Sequence, residues 1–283
     1  MIIIQIRRPL LIILMFVVAI SFIITNNTKN DEELNDKIIT IQGVVKGKIE
    51  KKRYNQYKVG VFLINDYTKN KNLKIGQKVN ITGKFKSLDK MKYDDFDYGR
   101  YIKSTGYKGI VYINNYKIID KNKLYSLIGE IKFYISKTYR YLYKKNSDFI
   151  NSILLAEVEN LTEEQKEIFT RTGTSHVISI SGLHTGILCV IISFLLRGIN
   201  KLYKLLILSI FITLYCIMVG ASPSIIRSIA FVMIFYLSIF IDRKKDGISA
   251  LSLIGIILIM NNPYVIYNVS FQLSFLATLS ILI

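Results

Sequence analysis

From Val177 to its end the chain is an almost unbroken series of apolar runs, separated only by short basic or polar hinges. Runs of this length satisfy their backbone hydrogen bonds internally only as helices, and their purity points to a membrane rather than to water. Val177 to Leu196 is followed by Arg197, Lys201 and Lys204; Leu205 to Val219 leads to the polar Ala221-Ser222-Pro223-Ser224; Ile225 to Ile241 leads to Arg243, Lys244 and Lys245. Near the N-terminus, Arg7 and Arg8 precede a further run, Pro9 to Ile24. Counting crossings from there, each basic hinge falls on the same side as Arg7 and Arg8, which the excess of Lys and Arg in cytoplasmic loops assigns to the cytosol. The segment after the first run is therefore expected outside. A cleavable signal peptide is the rival, since Ala19-Ile20-Ser21 resembles a cleavage site, but the run is long for that and other runs follow. Gly247 to Met260 is short for a span and reads equally as a re-entrant segment.

The remaining charge must be housed elsewhere, and residues from about Thr25 to Lys145 carry most of the Lys and Arg. Between Lys37 and Ile119 apolar residues alternate with polar ones: Ile39 and Ile41 with Thr40 and Gln42, Val79 and Ile81 with Asn80 and Thr82, and Val59, Val61 and Leu63 as a third face. Gly43, Gly76 and Gly83 punctuate these runs, and Asp66 to Asn72 is turn-like. Several short strands with glycine bends predict a small barrel of the OB type or a generic sandwich, which periodicity does not separate. Its cysteine-free length of roughly 85 residues is enough for a core without disulfides, because Cys189 and Cys216 both lie in apolar runs.

From Leu124 the period becomes helical, with Leu124, Ile128, Ile131, Ile135 and Leu142 on one stripe and Lys132, Lys137, Arg140 and Lys144 largely off it. A basic helix on a membrane surface and a helix packed on the barrel both fit. A second helix is expected from Thr162, with Gln165 completing a capping box and Gly173 ending it. The net charge of +18 suggests an anionic partner, nucleic acid or acidic lipid, although an A/T-rich coding bias also yields many lysines.

Polar groups within apolar runs mark the candidate sites. The segment RTGTSHVISISGLHTG, residues 171–186, holds both histidines. His176 and His184 lie about 12 Å apart if helical, and no Cys, Asp or Glu is close enough in sequence to complete a metal site. Ser181 and His184 share a helix face, which admits an intramembrane serine protease, but no acid or later histidine is available to orient the base. The plainer reading has Gly182 and Gly186 permitting close helix packing while Ser181 and His184 hydrogen-bond between helices. In GASPSIIRS, residues 220–228, Ser222 is placed to cap a helix starting at Pro223, with Arg227 one turn inside: an anion-attracting end, or an arginine reaching for lipid headgroups. Gln272, with Ser270 and Ser274, forms another polar stripe.

Taken together and in order, EEQKEIFTRTGTSHVISISGLHTGIL, GASPSIIRSIAFVMIF and NPYVIYNVSFQLSFLATLSIL resemble the ComEC family of competence channel proteins, and FDYGRYIKSTGYKGIVYI resembles the end of that family's OB-like extracellular domain. The resemblance implies a channel component passing single-stranded DNA across the cytoplasmic membrane in natural transformation. It places family signature residues on Gly173, Ser175, His176, Ile180, Ser181, Gly182, Leu183, His184, Pro223, Arg227, Phe271, Gln272, Leu273 and Ser274. Of these, Ser175, His176, Ser181, Gly182, His184, Pro223, Arg227, Gln272 and Ser274 are the DNA-pathway candidates. No catalytic residue, metal or cofactor is implied. Expected partners are single-stranded DNA, the lipid bilayer, a DNA receptor, a cytoplasmic ATPase and further copies of the chain. Family members commonly have more spans, and many carry a metallo-β-lactamase-like nuclease domain, whereas this sequence stops inside an apolar run with two histidines in all. A truncated or split product without nuclease activity is expected. An intramembrane protease and a nonfunctional fragment stand as alternatives.

The expected architecture is thus an α+β membrane protein: an anchor helix at 1–25, an extracellular OB-like β-barrel at 36–120, amphipathic or interfacial helices at 121–174, and an incomplete polytopic helical bundle at 175–283. Sidedness is its most exposed consequence. A single cysteine introduced at Tyr98, in a chain lacking Cys189 and Cys216, is expected to react with a membrane-impermeant thiol reagent in intact cells; protection there and reaction only after lysis would reverse the topology.

Overall fold

The alternating segments form strands because each presents one apolar face to a common interior. The computed structural model describes residues 8–28, 34–51, 53–69, 72–93, 96–174, 182–220, 225–226, 229–230, 233–234 and 246–282. Strands β1 (Ile38–Glu50), β2 (Asn55–Val59), β3 (Phe62–Asp66), β4 (Gln77–Lys86) and β7 (Gly109–Lys121) close into the expected small barrel, in the order β1-β2-β3-β7-β4 with β4 pairing back onto β1. Only the β3–β7 pair is parallel. Ile41, Val45, Tyr57, Val59, Ile64, Val79, Ile81, Phe85 and Val111 fill the interior. Closing the sheet removes the open edges that a five-stranded sheet of this length would otherwise expose.

One sequence expectation is corrected here. Val59, Val61 and Leu63 do not share a face, because the chain reverses at Gly60 and Val61 and pairs Val59 with Phe62. Gly60 has φ +58°, the conformation that favours glycine at the first central position of a two-residue hairpin. The reversal leaves Val61 exposed at the tip.

Between β4 and β7 the chain makes the short pair β5 (Lys92–Tyr93) and β6 (Phe96–Asp97) and then helix α2 (Tyr98–Ser104), capped by Asp97 accepting from the Arg100 amide. A second apolar cluster, Leu63, Leu88, Met91, Ile102 and Ile110, holds α2 against the outside of the barrel. After β7, Asn122 caps helix α3 (Lys123–Tyr143). The start of α3 lies so close to Gly76 (φ +89°) that any side chain there would strike Ser126, and Gly129 rests on Ile75. Only Ile128 of the predicted apolar stripe is buried; Leu124, Ile131 and Leu142 remain exposed. The helix therefore touches the barrel by one edge and keeps an uncovered apolar face. Helices α4 (Ser147–Leu155) and α5 (Glu163–Arg171) follow, the latter with the predicted reciprocal capping bonds between Thr162 and Gln165 and with Gly173 (φ +68°) just beyond its end.

Among the described residues, two helices are long and apolar enough to cross a membrane: α1 (Pro9–Asn27) and α7 (Lys201–Val219). The other apolar helices, α6 (Gly182–Leu195), α8 (Gly247–Asn261) and α9 (Val269–Leu282), are shorter. Helix α8 nevertheless runs beside α1 from end to end. Arg8 lies 3.8 Å from Asp246, the α8 cap, while at the other end Ser21 donates to the Pro263 carbonyl and Gly255 packs on Leu14 midway. Helix α9 turns back, so that Leu282 reaches Gly247.

The turn from α8 to α9, Asn262 to Asn268, is where the helices meet the barrel. Asn262 donates to the carbonyls of Lys103 (2.9 Å) and Ser104 (3.3 Å) in α2, and Asn268 donates to the Ser104 hydroxyl. The guanidinium of Arg100 lies over the Tyr267 ring at 4.5 Å, and the Tyr267 hydroxyl bonds Thr25 of α1. Asn268 also caps α9 by accepting from the Phe271 amide. Asn268→Ala should cost about 1–3 kcal/mol, from the lost cap and the partner bond at a buried position. Asn268→Asp, which keeps the acceptor alone, should cost less. Denaturant unfolding of the detergent-solubilised chain measures both.

Candidate functional site

The barrel wall carries a bulge where it faces the helices. Val45 pairs with Val59 and Gly47 with Lys58, which leaves Lys46 as the extra residue in β1. Such bulges bend the strand and re-aim its side chains. Here Lys46, Gly47, Lys48, Ile49 and Glu50 of β1, with Lys58 of β2, form one wall of a cleft of about 600 Å³. The opposite wall is α3, through Gly129, Lys132, Phe133, Ser136, Lys137 and Arg140. The turn from Ala156 to Asn160 and the end of α7, Met218 to Gly220, complete it.

Local sequence explains each wall. Lys132, Ser136 and Arg140 recur at every fourth position of α3 and so share a face. Helix α4 ends at Ala156 in a left-handed conformation, φ +58°, which sends Glu157 back toward α3. There Glu157 accepts from Ser136 (3.0 Å) and from Asn160 (2.9 Å). The end of α7 is held by Tyr215, whose hydroxyl donates to the Leu154 carbonyl, and by packing of Val219 and Met218 near Ala156.

The cleft is cationic. Six lysine and arginine side chains line it against Glu50, Glu157 and Glu159, and Glu50 is paired with Lys48 at 2.6 Å. Burial lowers the pKa of Lys132 from its usual value, with nearby Lys58 adding to the shift and Glu157 and Glu159 opposing it. Burial lowers Lys58 as well, against the pull of Glu159. The two lysines therefore carry charge at a cost that an additional anion would relieve.

The sequence-predicted candidates lie elsewhere. Ser175, His176, Ile180, Ser181, Pro223 and Arg227 fall outside the described residues, so neither the helix start at Pro223 nor the Ser181–His184 pairing considered for a protease is described. Gly182 opens α6, and His184 sits half-buried in its first turn. Gln272 donates to the Ile266 carbonyl at 2.7 Å and so ties α9 to the preceding turn. Ser274 is half-buried, with its carbonyl accepting from Thr278. Among the described residues, no group of three or more His, Cys, Asp or Glu is placed to hold a metal ion. The cleft residues were missed because they come from segments far apart in the chain; the one available signal was the fourfold spacing of Lys132 and Arg140 about Ser136.

A β-barrel fastened to the ends of apolar helices, with a cationic cleft at the junction, defines a membrane-associated class of protein suited to an anionic ligand. Comparison points the same way as the sequence: residues 153–283 match the model of the family described as Competence protein, and the resemblance to ComEC-type competence proteins read from the sequence is borne out. ComE operon protein 3 of Bacillus subtilis (strain 168) is 26% identical over 165 residues, covering 58% of this chain and 21% of that protein. An uncharacterized protein of Aquifex aeolicus (strain VF5) is 30% identical over 125 residues, covering 44% of this chain and 30% of that one. The chain thus spans less than a third of the length of either relative. Among solved structures, the aspartyl tRNA synthetase of Entamoeba histolytica aligns with 59% of this chain and 36% of its own at 11% identity, but with a TM-score of 0.24 it carries no argument.

The lowered lysine pKa values fix a pH dependence. Below the lowered value Lys132 is charged in the folded and unfolded chain alike and the folded state bears the full penalty; above 10.5 the group is neutral in both and the penalty is gone. Lys132→Met should accordingly raise unfolding stability at neutral pH, and the gain should shrink as pH rises toward 10.5. Urea or guanidinium titrations at several pH values read the difference; a gain independent of pH would mean that packing, not charge, is responsible.

Proposed function

We propose that this chain is a component of a channel that passes single-stranded DNA across the cytoplasmic membrane in natural transformation. In this reading the barrel is an OB-like domain on the outer side, and the apolar helices belong to a multi-pass bundle. The observation that carries it is the cationic cleft bounded by the barrel on one side and by the end of α7 on the other. A phosphodiester backbone is neutralised by lysine and arginine with release of its counterions, which a cleft of this charge supports without reading sequence. The match to the competence family over residues 153–283 supports the same setting.

Sidedness supports it too. Arg8 and Asp246 share one end of the helices, while the barrel, Gly220 and the Asn262–Asn268 turn share the other. With the arginine end in the cytosol, the cleft opens outside, at the level where α7 ends. Ser175, His176, Ser181, Gly182, His184, Pro223, Arg227, Gln272 and Ser274 are proposed to line or pack the continuation of the path. Intramembrane polar groups of this kind face water-filled routes or protein partners rather than lipid. A DNA receptor, a cytoplasmic ATPase and further copies of the chain are the proposed partners. Transport, rather than catalysis, is the proposed activity.

Two measurements test the reading. Salt titration of oligonucleotide binding to the full chain should give a steep loss of affinity, and Lys58→Gln or Lys132→Gln should each reduce the slope of log K against log salt by about 0.7. Glu157→Gln, which removes a negative charge from the cleft, should strengthen binding at low salt. In cells, Arg227→Ala and His184→Ala should each lower uptake of labelled DNA; wild-type uptake in both would remove them from the path.

A further inference from the structure

The end of the barrel next to the cleft carries a row of tyrosines that the cleft does not use. Tyr54 lies just before β2, Tyr67 just after β3, and Tyr112 within β7, where its Cα pairs with that of Asn65. The ring centroids of Tyr54 and Tyr67 are 4.9 Å apart, and those of Tyr67 and Tyr112 are 5.8 Å apart, all tilted by about a third of a right angle or slightly more: 35° and 36°. Tyr112 is anchored on the cluster of Leu63, Leu88, Met91, Ile102 and Ile110, whereas Tyr67 is 55% exposed at the centre of the row.

The surroundings are cationic. Lys51 places its Nζ 5.1 Å over the Tyr54 ring and donates to the Tyr54 hydroxyl. Arg53 and Lys69 are exposed beside the row in sequence. The neighbouring acid, Asp66, is buried, and its carboxylate accepts from the amide and hydroxyl of Thr68. An exposed aromatic surface with lysine and arginine around it matches a ligand that is both flat and anionic.

We propose that Tyr54, Tyr67 and Tyr112 form a base-stacking subsite for single-stranded DNA, contiguous with the phosphate-binding cleft. The inference rests on the DNA reading of the cleft. The two regions share the β1–β2 hairpin: Glu50, which lines the cleft, pairs directly with Asn55, the residue after Tyr54. A strand whose bases lie on the tyrosines therefore brings its backbone along Lys51 and into the lysines of β1 and β2. Stacking is indifferent to base identity, because every base has a π-face, but a duplex keeps its faces covered by their neighbours. The row thus selects single strands over duplex before the cleft is reached, and the cleft alone makes no such distinction.

The test compares three probes on the full chain in detergent or nanodiscs: an oligothymidylate, an abasic oligomer of equal length, and a duplex. The wild type should prefer oligothymidylate to both others. Tyr67→Ala should weaken oligothymidylate binding about tenfold while leaving the abasic oligomer unaffected. Tyr67→Phe should retain the wild-type preference, and Tyr67→Leu, which keeps apolar bulk without a flat face, should behave like Tyr67→Ala. Equal loss on the abasic oligomer, or an undiminished preference in Tyr67→Ala and Tyr54→Ala, would overturn the stacking subsite while leaving the cleft in place. Failure of the wild type to bind any probe at low salt would remove the cleft reading and the subsite with it.

Discussion

The attachment of the Asn262–Asn268 turn to helix α2 fixes everything that lies between barrel and helices. Two asparagine side chains reach the carbonyls of Lys103 and Ser104 and the Ser104 hydroxyl, and Arg100 covers Tyr267. Polar contacts of this kind are directional, and because Asn268 is buried, leaving its amide unmade is expensive. An apolar contact of equal area would let the barrel slide. The asparagines hold it to one orientation, and through α1, which meets the same turn at Ser21 and Thr25, they couple that orientation to the helices.

With the barrel held, a second junction forms on another side, where α3, the Ala156–Asn160 turn and the end of α7 face the bulged strand β1. The cleft exists because these four segments meet without filling the space between them. Its lysines would repel one another if Glu157 and Glu159 were absent, and those carboxylates offset only part of the burial cost. A site left short of negative charge is prepared for an anion. The tyrosine row beside the hairpin adds exposed ring surface at its edge, which is the basis of the proposed stacking subsite.

The motifs behind the family resemblance divide on inspection. FDYGRYIKS and NPYVIYN, far apart in the chain, bind each other, with Ser104 of one on Asn262 and Asn268 of the other. Gln272, read from the sequence as a pathway residue, is occupied with the Ile266 carbonyl at the end of that same turn. In this chain, then, part of the resembling sequence joins the barrel to the helices.

Much of the local structure was legible in the sequence. The alternation of Ile39, Ile41, Val79 and Ile81 marked strands, the Thr162–Gln165 pair marked a helix start, and Gly173 marked its end, because each depends on neighbours within a few residues. The hairpin at Gly60 was hidden by an alternation that continues through it as Val59, Val61 and Leu63; a period of two looks the same whether or not the chain reverses. By itself the sequence determined a basic, strand-forming segment followed by apolar helices, since periodicity and hydropathy act locally. Only the tertiary structure decided that Lys58, Lys132 and Glu157 share one cleft, and that Tyr54, Tyr67 and Tyr112 share one surface. Charge and stacking act through space, and no spacing along the chain records which segments packing will bring together.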